Sequence, residues 1–112
     1  VSTDAAAEEQ LALLVALFAT RPGVTPPDPA KRSFGANSLR VDGKIFALVP
    51  KFGGLTFKLP RETVAELVGA GEGVRFDPTR SRPLKEWFVL SPESALDPVE
   101  LAEAAFAYVR DV

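Results

Sequence analysis

Between Ser33 and Pro60 the chain reads SFGANSLRVDGKIFALVPKFGGLTFKLP, and no other stretch restricts the fold as strongly. Asp42-Gly43 sits between two apolar runs, and a two-residue type I′ hairpin turn needs positive φ at both central positions, which Asp-Gly supplies at low cost. Counting outward from the turn places Leu39 opposite Phe46 and Arg40 opposite Ile45. Leu39 and Val41 then share a face with Phe46 and Leu48, while Ile45, Ala47 and Val49 occupy the other. A strand apolar on both faces is a covered, central one. Leu55-Thr56-Phe57-Lys58-Leu59 alternates, with Leu55, Phe57 and Leu59 inward, and Lys51-Phe52-Gly53-Gly54 forms the turn before it.

Helical patterns flank this meander. Residues 4–20 predict a helix capped by Asp4, with Glu8 and Glu9 early, where the helix dipole favours anions, and Arg21 closing it before Pro22-Gly23. Leu11, Leu14, Val15 and Phe18 make its core stripe. Leu13 and Leu17 widen that stripe, either as a broad face over a sheet or as a contact with a partner or second copy. Residues 22–32 hold four prolines and read as an extended connector with little regular structure. Pro60-Arg61-Glu62 opens a second helix with Val64, Leu67 and Val68 inward and Gly69 and Gly71 ending it. Val74-Arg75-Phe76 and Trp87 to Leu90 predict two further strands. Asp97, Pro98 and Glu100 start a last helix, with Leu101, Ala102, Ala105, Phe106 and Val109 on its apolar face. The expectation is a single α+β domain spanning 1–112, an antiparallel sheet of about five strands with helices packed against it, in the order α-β-β-β-α-β-β-α. With 112 residues there is material for one core and not two.

The chain contains no cysteine and no histidine. Thiol nucleophiles, imidazole bases, disulfides and the usual zinc and iron sites are thereby excluded. An enzyme would have to rely on a carboxylate pair, a lysine or Tyr108. Glu62 and Glu66 lie one helical turn apart on a surface face, and nothing converges on them. The glycine runs Lys51 to Gly54 and Gly69 to Gly73 do not follow a strand and open a helix, as a phosphate-binding loop does. The expectation is a non-enzymatic protein with no catalytic residues, cofactor or metal. No apolar run approaches the roughly 20 residues of a membrane span, and Asp4, Glu8 and Glu9 stand where a secretory signal would be basic. A cytoplasmic location, away from membranes, is expected.

Charge is uneven along the chain. The whole chain is −2, yet residues 30–85 hold eleven cations against five carboxylates, a net +6; residues 1–29 are −3 and residues 86–112 are −5. A basic sheet between acidic helices is either a phosphate-binding face or a set of solvated strand edges that resist edge-to-edge pairing. Arg80, Arg82 and Lys85 precede Trp87 and Phe88, the densest basic and aromatic mixture. Those cations could track a phosphate backbone and Trp87 stack a base; alternatively Trp87 belongs to the core of a buried strand, the favoured expectation. Ligand binding by Phe34, Phe46, Phe57 and Trp87 is a more distant option, since such residues are commonly core. With both terminal helices acidic, insertion of a helix into a major groove is not expected.

The order of several short motifs resembles the N-terminal domain of the TfoX/Sxy family and the related MmcQ/YjbR family. These are Arg32-Ser33-Phe34-Gly35, Leu39 to Ala47 around the Asp42-Gly43 turn, Phe57-Lys58-Leu59, Val64 to Leu67, Gly71-Glu72-Gly73 with Phe76-Asp77-Pro78, and Arg82-Pro83-Leu84-Lys85-Glu86-Trp87. The likeness covers roughly residues 31 to 110, and Ser33 stands where TfoX members often carry Met. It implies an α+β domain with an antiparallel sheet, and a role in transcription or competence regulation, with DNA contacted through wing-like loops at Lys51 to Gly54 and Asp77 to Lys85. The resulting expectation is a weak, largely sequence-independent DNA-binding regulator using Arg40, Lys51, Arg80, Arg82 and Lys85 on phosphate. The alternative is a protein-interaction module using Leu13 and Leu17.

Overall fold

The computed structural model describes residues 2–25, 38–50, 54–77 and 82–111. In chain order the elements are α1 (Ser2–Phe18), β1 (Val24–Thr25), β2 (Ser38–Val41), β3 (Lys44–Leu48), β4 (Thr56–Lys58), α2 (Arg61–Gly69), β5 (Gly73–Arg75), β6 (Trp87–Leu90) and α3 (Pro98–Arg110). The strands form one antiparallel sheet in the order β1-β2-β3-β4-β6-β5, with the helices on one side. The α+β architecture expected from the sequence is therefore present, with one strand more than anticipated. Val24 and Thr25, at the start of the proline-rich connector, pair with Val41 and Arg40. These two β-branched residues cover the outer edge of β2, and the Asp42 N–H donates to the Gly23 carbonyl at 2.9 Å beside them.

The Asp42-Gly43 turn has φ of 53° and 82°, as a type I′ turn requires. Arg40 pairs with Ile45 as counted, but Leu39 pairs with Ala47, because a bulge between Leu39 and Arg40 adds a residue on β3. The extra residue corrects the expected facing. Phe46 and Ala47 both belong to the helix-side core cluster, whereas Leu48, equally buried, lies outside that cluster. Leu48 pairs instead with Thr56 on the opposite face. Leu55, Phe57 and Leu59 are buried in the core as expected. Thr56 is buried too, and its hydroxyl donates to the Gly54 carbonyl at 2.9 Å.

Helix α1 begins at Ser2, so Asp4 lies inside its first turn and is not the cap. Leu11, Leu14 and Phe18 are buried, while Leu13 and Leu17 are 65% and 53% exposed. Helix α2 ends in a Schellman arrangement: the Glu72 N–H donates to the Leu67 carbonyl and the Gly71 N–H to that of Val68, with Gly71 at φ 80°. In α3 the Asp97 carboxylate accepts the Val99 N–H at 2.9 Å, Pro98 occupies the first turn, and the five expected apolar residues are the buried ones.

Phe18, Phe46 and Phe106 form a three-way aromatic cluster joining α1, β3 and α3, with centroids 5.5 to 5.9 Å apart. Arg21 closes its outer end. Its guanidinium lies 4.1 Å from the Phe18 centroid and 5.3 Å from that of Phe106, and both terminal nitrogens donate to the Glu103 carboxylate. The paired guanidinium holds the Glu103 carboxyl below its usual range. A depressed carboxylate contributes stability above the unfolded glutamate value, about 4.3, and loses it as pH falls through the folded value. The two side chains are a third to a half exposed, so solvent screening limits the pair to about 0.5–1 kcal/mol. Urea unfolding of Glu103→Gln should show that deficit at pH 7 and none once the wild-type carboxyl is protonated. A deficit that persists at acid pH would mean packing, not charge, is what the substitution removed.

Candidate functional site

Cross-strand partners share a face, so the pairs Leu48–Thr56, Thr56–Val89 and Val89–Val74 trace the side of the sheet away from the core cluster. Alternation along β2, β4 and β6 adds Arg40, Lys58 and Trp87 to that side, and Ile45 joins as the partner of Arg40. Toward the ends of β4 and β6 this face opens. Ser38, Leu48 and Thr56 are buried, whereas Arg40, Ile45, Lys58 and Trp87 are all partly exposed. Trp87 is therefore not the core residue the sequence favoured. Phe88 took the buried position instead, paired with Phe57 and Arg75.

The β3–β4 ladder stops at Ala47–Phe57. Beyond it lies a groove of about 460 Å³ lined by Arg40, Lys44, Ile45, Lys58, Glu86, Trp87, Tyr108 and Val109. The last two belong to α3. The Lys58 ammonium lies 5.0 Å from the Trp87 centroid and 3.2 Å from a Glu86 carboxylate oxygen. The same oxygen accepts the Tyr108 hydroxyl at 3.2 Å. Partial burial, then the charge of Glu86 and the bond to it, hold the Tyr108 hydroxyl above its ordinary range, so it stays a donor.

A second groove of about 590 Å³ runs along α2, lined by Arg61, Glu62, Ala65, Arg75, Pro83 and Lys85. Both grooves border the same two stretches, Lys58 to Arg61 and Lys85 to Trp87, which the Leu59 N–H bond to the Glu86 carbonyl clips together at 2.9 Å. Among the described residues, one end of the sheet thus gathers six cations and two carboxylates from a chain that is net negative. Among the described residues Arg40, Arg75, Arg82 and Lys85 form no ion pair, and Arg61 reaches only its neighbour Glu62 at 3.4 Å. At the other end of the sheet a cavity of about 120 Å³ by Leu55, Leu90 and Ser91 has no charged lining residue among the described residues.

Of the residues the sequence singled out for phosphate, Arg40 lies in the first groove and Lys85 in the second. Arg82 is exposed just outside, its backbone N–H held by the Asp77 carboxylate at 3.3 Å. Lys51 and Arg80 lie outside the described residues, as does Phe34. Lys44, Lys58, Arg61 and Arg75 were not singled out, because they are spread over several elements and only the sheet order unites them. Among the described residues no three His, Cys, Asp or Glu side chains gather as a cation site, and no helix is long and apolar enough to cross a membrane. Comparison with protein-family models, with curated proteins and with solved structures returned no match.

Proposed function

We propose that this domain is a small, non-enzymatic, cytoplasmic regulatory module that holds DNA weakly, through its phosphate backbone and with little base readout. The observation that carries this reading is the gathering, among the described residues, of Arg40, Lys44, Lys58, Arg61, Arg75 and Lys85 at one end of the sheet, against Glu62 and Glu86. Cations drawn from separate elements to one surface suit a polyanion, whereas isolated solvated edges would scatter them. The motif order resembling TfoX/Sxy N-terminal domains supports the same reading and points to transcription or competence regulation. The test is fluorescence anisotropy of a labelled duplex at low and near-physiological salt. Log affinity should fall with log salt by about 0.9 per phosphate neutralised. No binding at low salt would end this reading.

The exposed Leu13 and Leu17, side by side with exposed Ala12 and Ala16 on α1, favour a second reading as a self-associating or adaptor module. On that reading a mass measurement gives a dimer, and Leu13→Asp returns a folded monomer. A mass that stays monomeric at all concentrations removes self-association.

A further inference from the structure

The groove between β3 and β4 has a composition that phosphate contact alone does not require. A bare anion would use the cations of its rim but has no use for Ile45, Val109 and a partly exposed indole in its wall. A purely apolar ligand would gain nothing from Arg40, Lys44 and Lys58. The combination fits a ligand with a planar body and a negative group close beside it. The volume, about 460 Å³, falls within the roughly 300–1,000 Å³ typical of small-ligand pockets.

Building on the DNA-binding reading above, we infer that this groove is a nucleotide site: it takes one unpaired base against Trp87 and Ile45, with the attached phosphate among Arg40, Lys44 and Lys58. Lys58 lies over the indole and is tied to Glu86, so a base that takes that face of the ring displaces the ammonium toward the attached phosphate. Because the Tyr108 hydroxyl donates to one Glu86 oxygen, the pair offers acceptor positions, the other Glu86 oxygen and the Tyr108 lone pairs, to the edge of the base. A base inside a duplex hides both faces in the stack, so only an unpaired nucleotide enters. Two sources carry that chemistry, a free mononucleotide and a single-stranded segment.

Trp87 is the only tryptophan in the chain, so its emission reports occupancy of the groove directly. The probes are oligothymidylate, thymidine 5′-monophosphate, inorganic phosphate and a blunt duplex. Oligothymidylate should quench the emission along a saturating curve. Quenching by the monophosphate as well identifies a free-nucleotide site, and quenching by the strand alone identifies a single-strand site. Lys58→Ala, at the partly exposed rim, should weaken the quenching interaction about tenfold. Trp87→Ala, followed by anisotropy of labelled oligothymidylate, should cost a comparable factor for the missing stacking platform. Circular dichroism identifies any variant that has failed to fold, and Lys58→Ala then carries the comparison. Quenching by inorganic phosphate equal to that by the nucleotides would overturn the inference, since the site would then read only charge. Duplex binding in the anisotropy assay without quenching by any single-stranded probe would also overturn it, leaving the backbone-binding reading intact. Absence of both signals would end the two together.

Discussion

Replacing Phe46 with alanine should lower the stability of the domain by about 3–5 kcal/mol, the cost of a large cavity in a close-packed core. A domain of this size has only about 5–15 kcal/mol to lose. Phe46 is fully buried and touches both Phe18 and Phe106 through ring contacts. It is the one side chain of the cluster that comes from the sheet, so its removal loosens α1 and α3 together. The measurement is urea unfolding followed by circular dichroism. Phe106→Ala should cost nearly as much. In the double variant the two losses should fail to add by about 0.5–1.5 kcal/mol, the worth of a direct aromatic pair. A Phe46→Ala loss under about 1 kcal/mol, far below the expected cavity cost, would mean that the sheet and helices are held together elsewhere.

Reversing Arg75 and Lys85 together should weaken duplex binding about a hundredfold at low salt, roughly tenfold for each charge-assisted hydrogen bond removed. The slope of log affinity against log salt should become shallower by about two. Both residues line the groove along α2 without an ion-pair partner among the described residues. The loss should be uniform across duplex sequences, because phosphate contacts carry no base information. Reversal of Arg110, on the acidic α3, should leave binding nearly unchanged. A loss confined to one duplex sequence would show base readout and contradict the backbone mechanism.

Much of the fold was legible because local chemistry and tertiary packing agree. Asp42-Gly43 adopts the turn its residue types prescribe, and every apolar residue expected inside α3 is there. Legibility failed where a single residue changed the parity of a strand. The bulge on β3 puts Ala47 beside Phe46 on the core side and sends Leu48 to the other face, and no residue type in KIFAL announces it. The site was less legible than the fold. Linear density drew attention to Arg80, Arg82 and Lys85, whereas the grooves are assembled from Arg40 and Lys44 on one hairpin, Lys58 and Arg61 around a strand end, and Arg75 on a distant strand. Trp87 is partly exposed despite its apolar strand, because strand apolarity says which residues can be buried, not which face receives a helix.

The position of β6 has a consequence for how the chain reaches this structure. It slots between β4 and β5, although α2 and the whole of β5 precede it in the chain. The meander β2-β3-β4 pairs strands that are close in the chain and can form early, but the Thr56 to Lys58 edge then waits, unpaired, for a strand that begins at Trp87. Until Leu90 has left the ribosome, β5 has no partner and β4 presents an open backbone to any other extended chain. Truncation before Trp87 should therefore yield an aggregating half-sheet instead of a smaller folded unit.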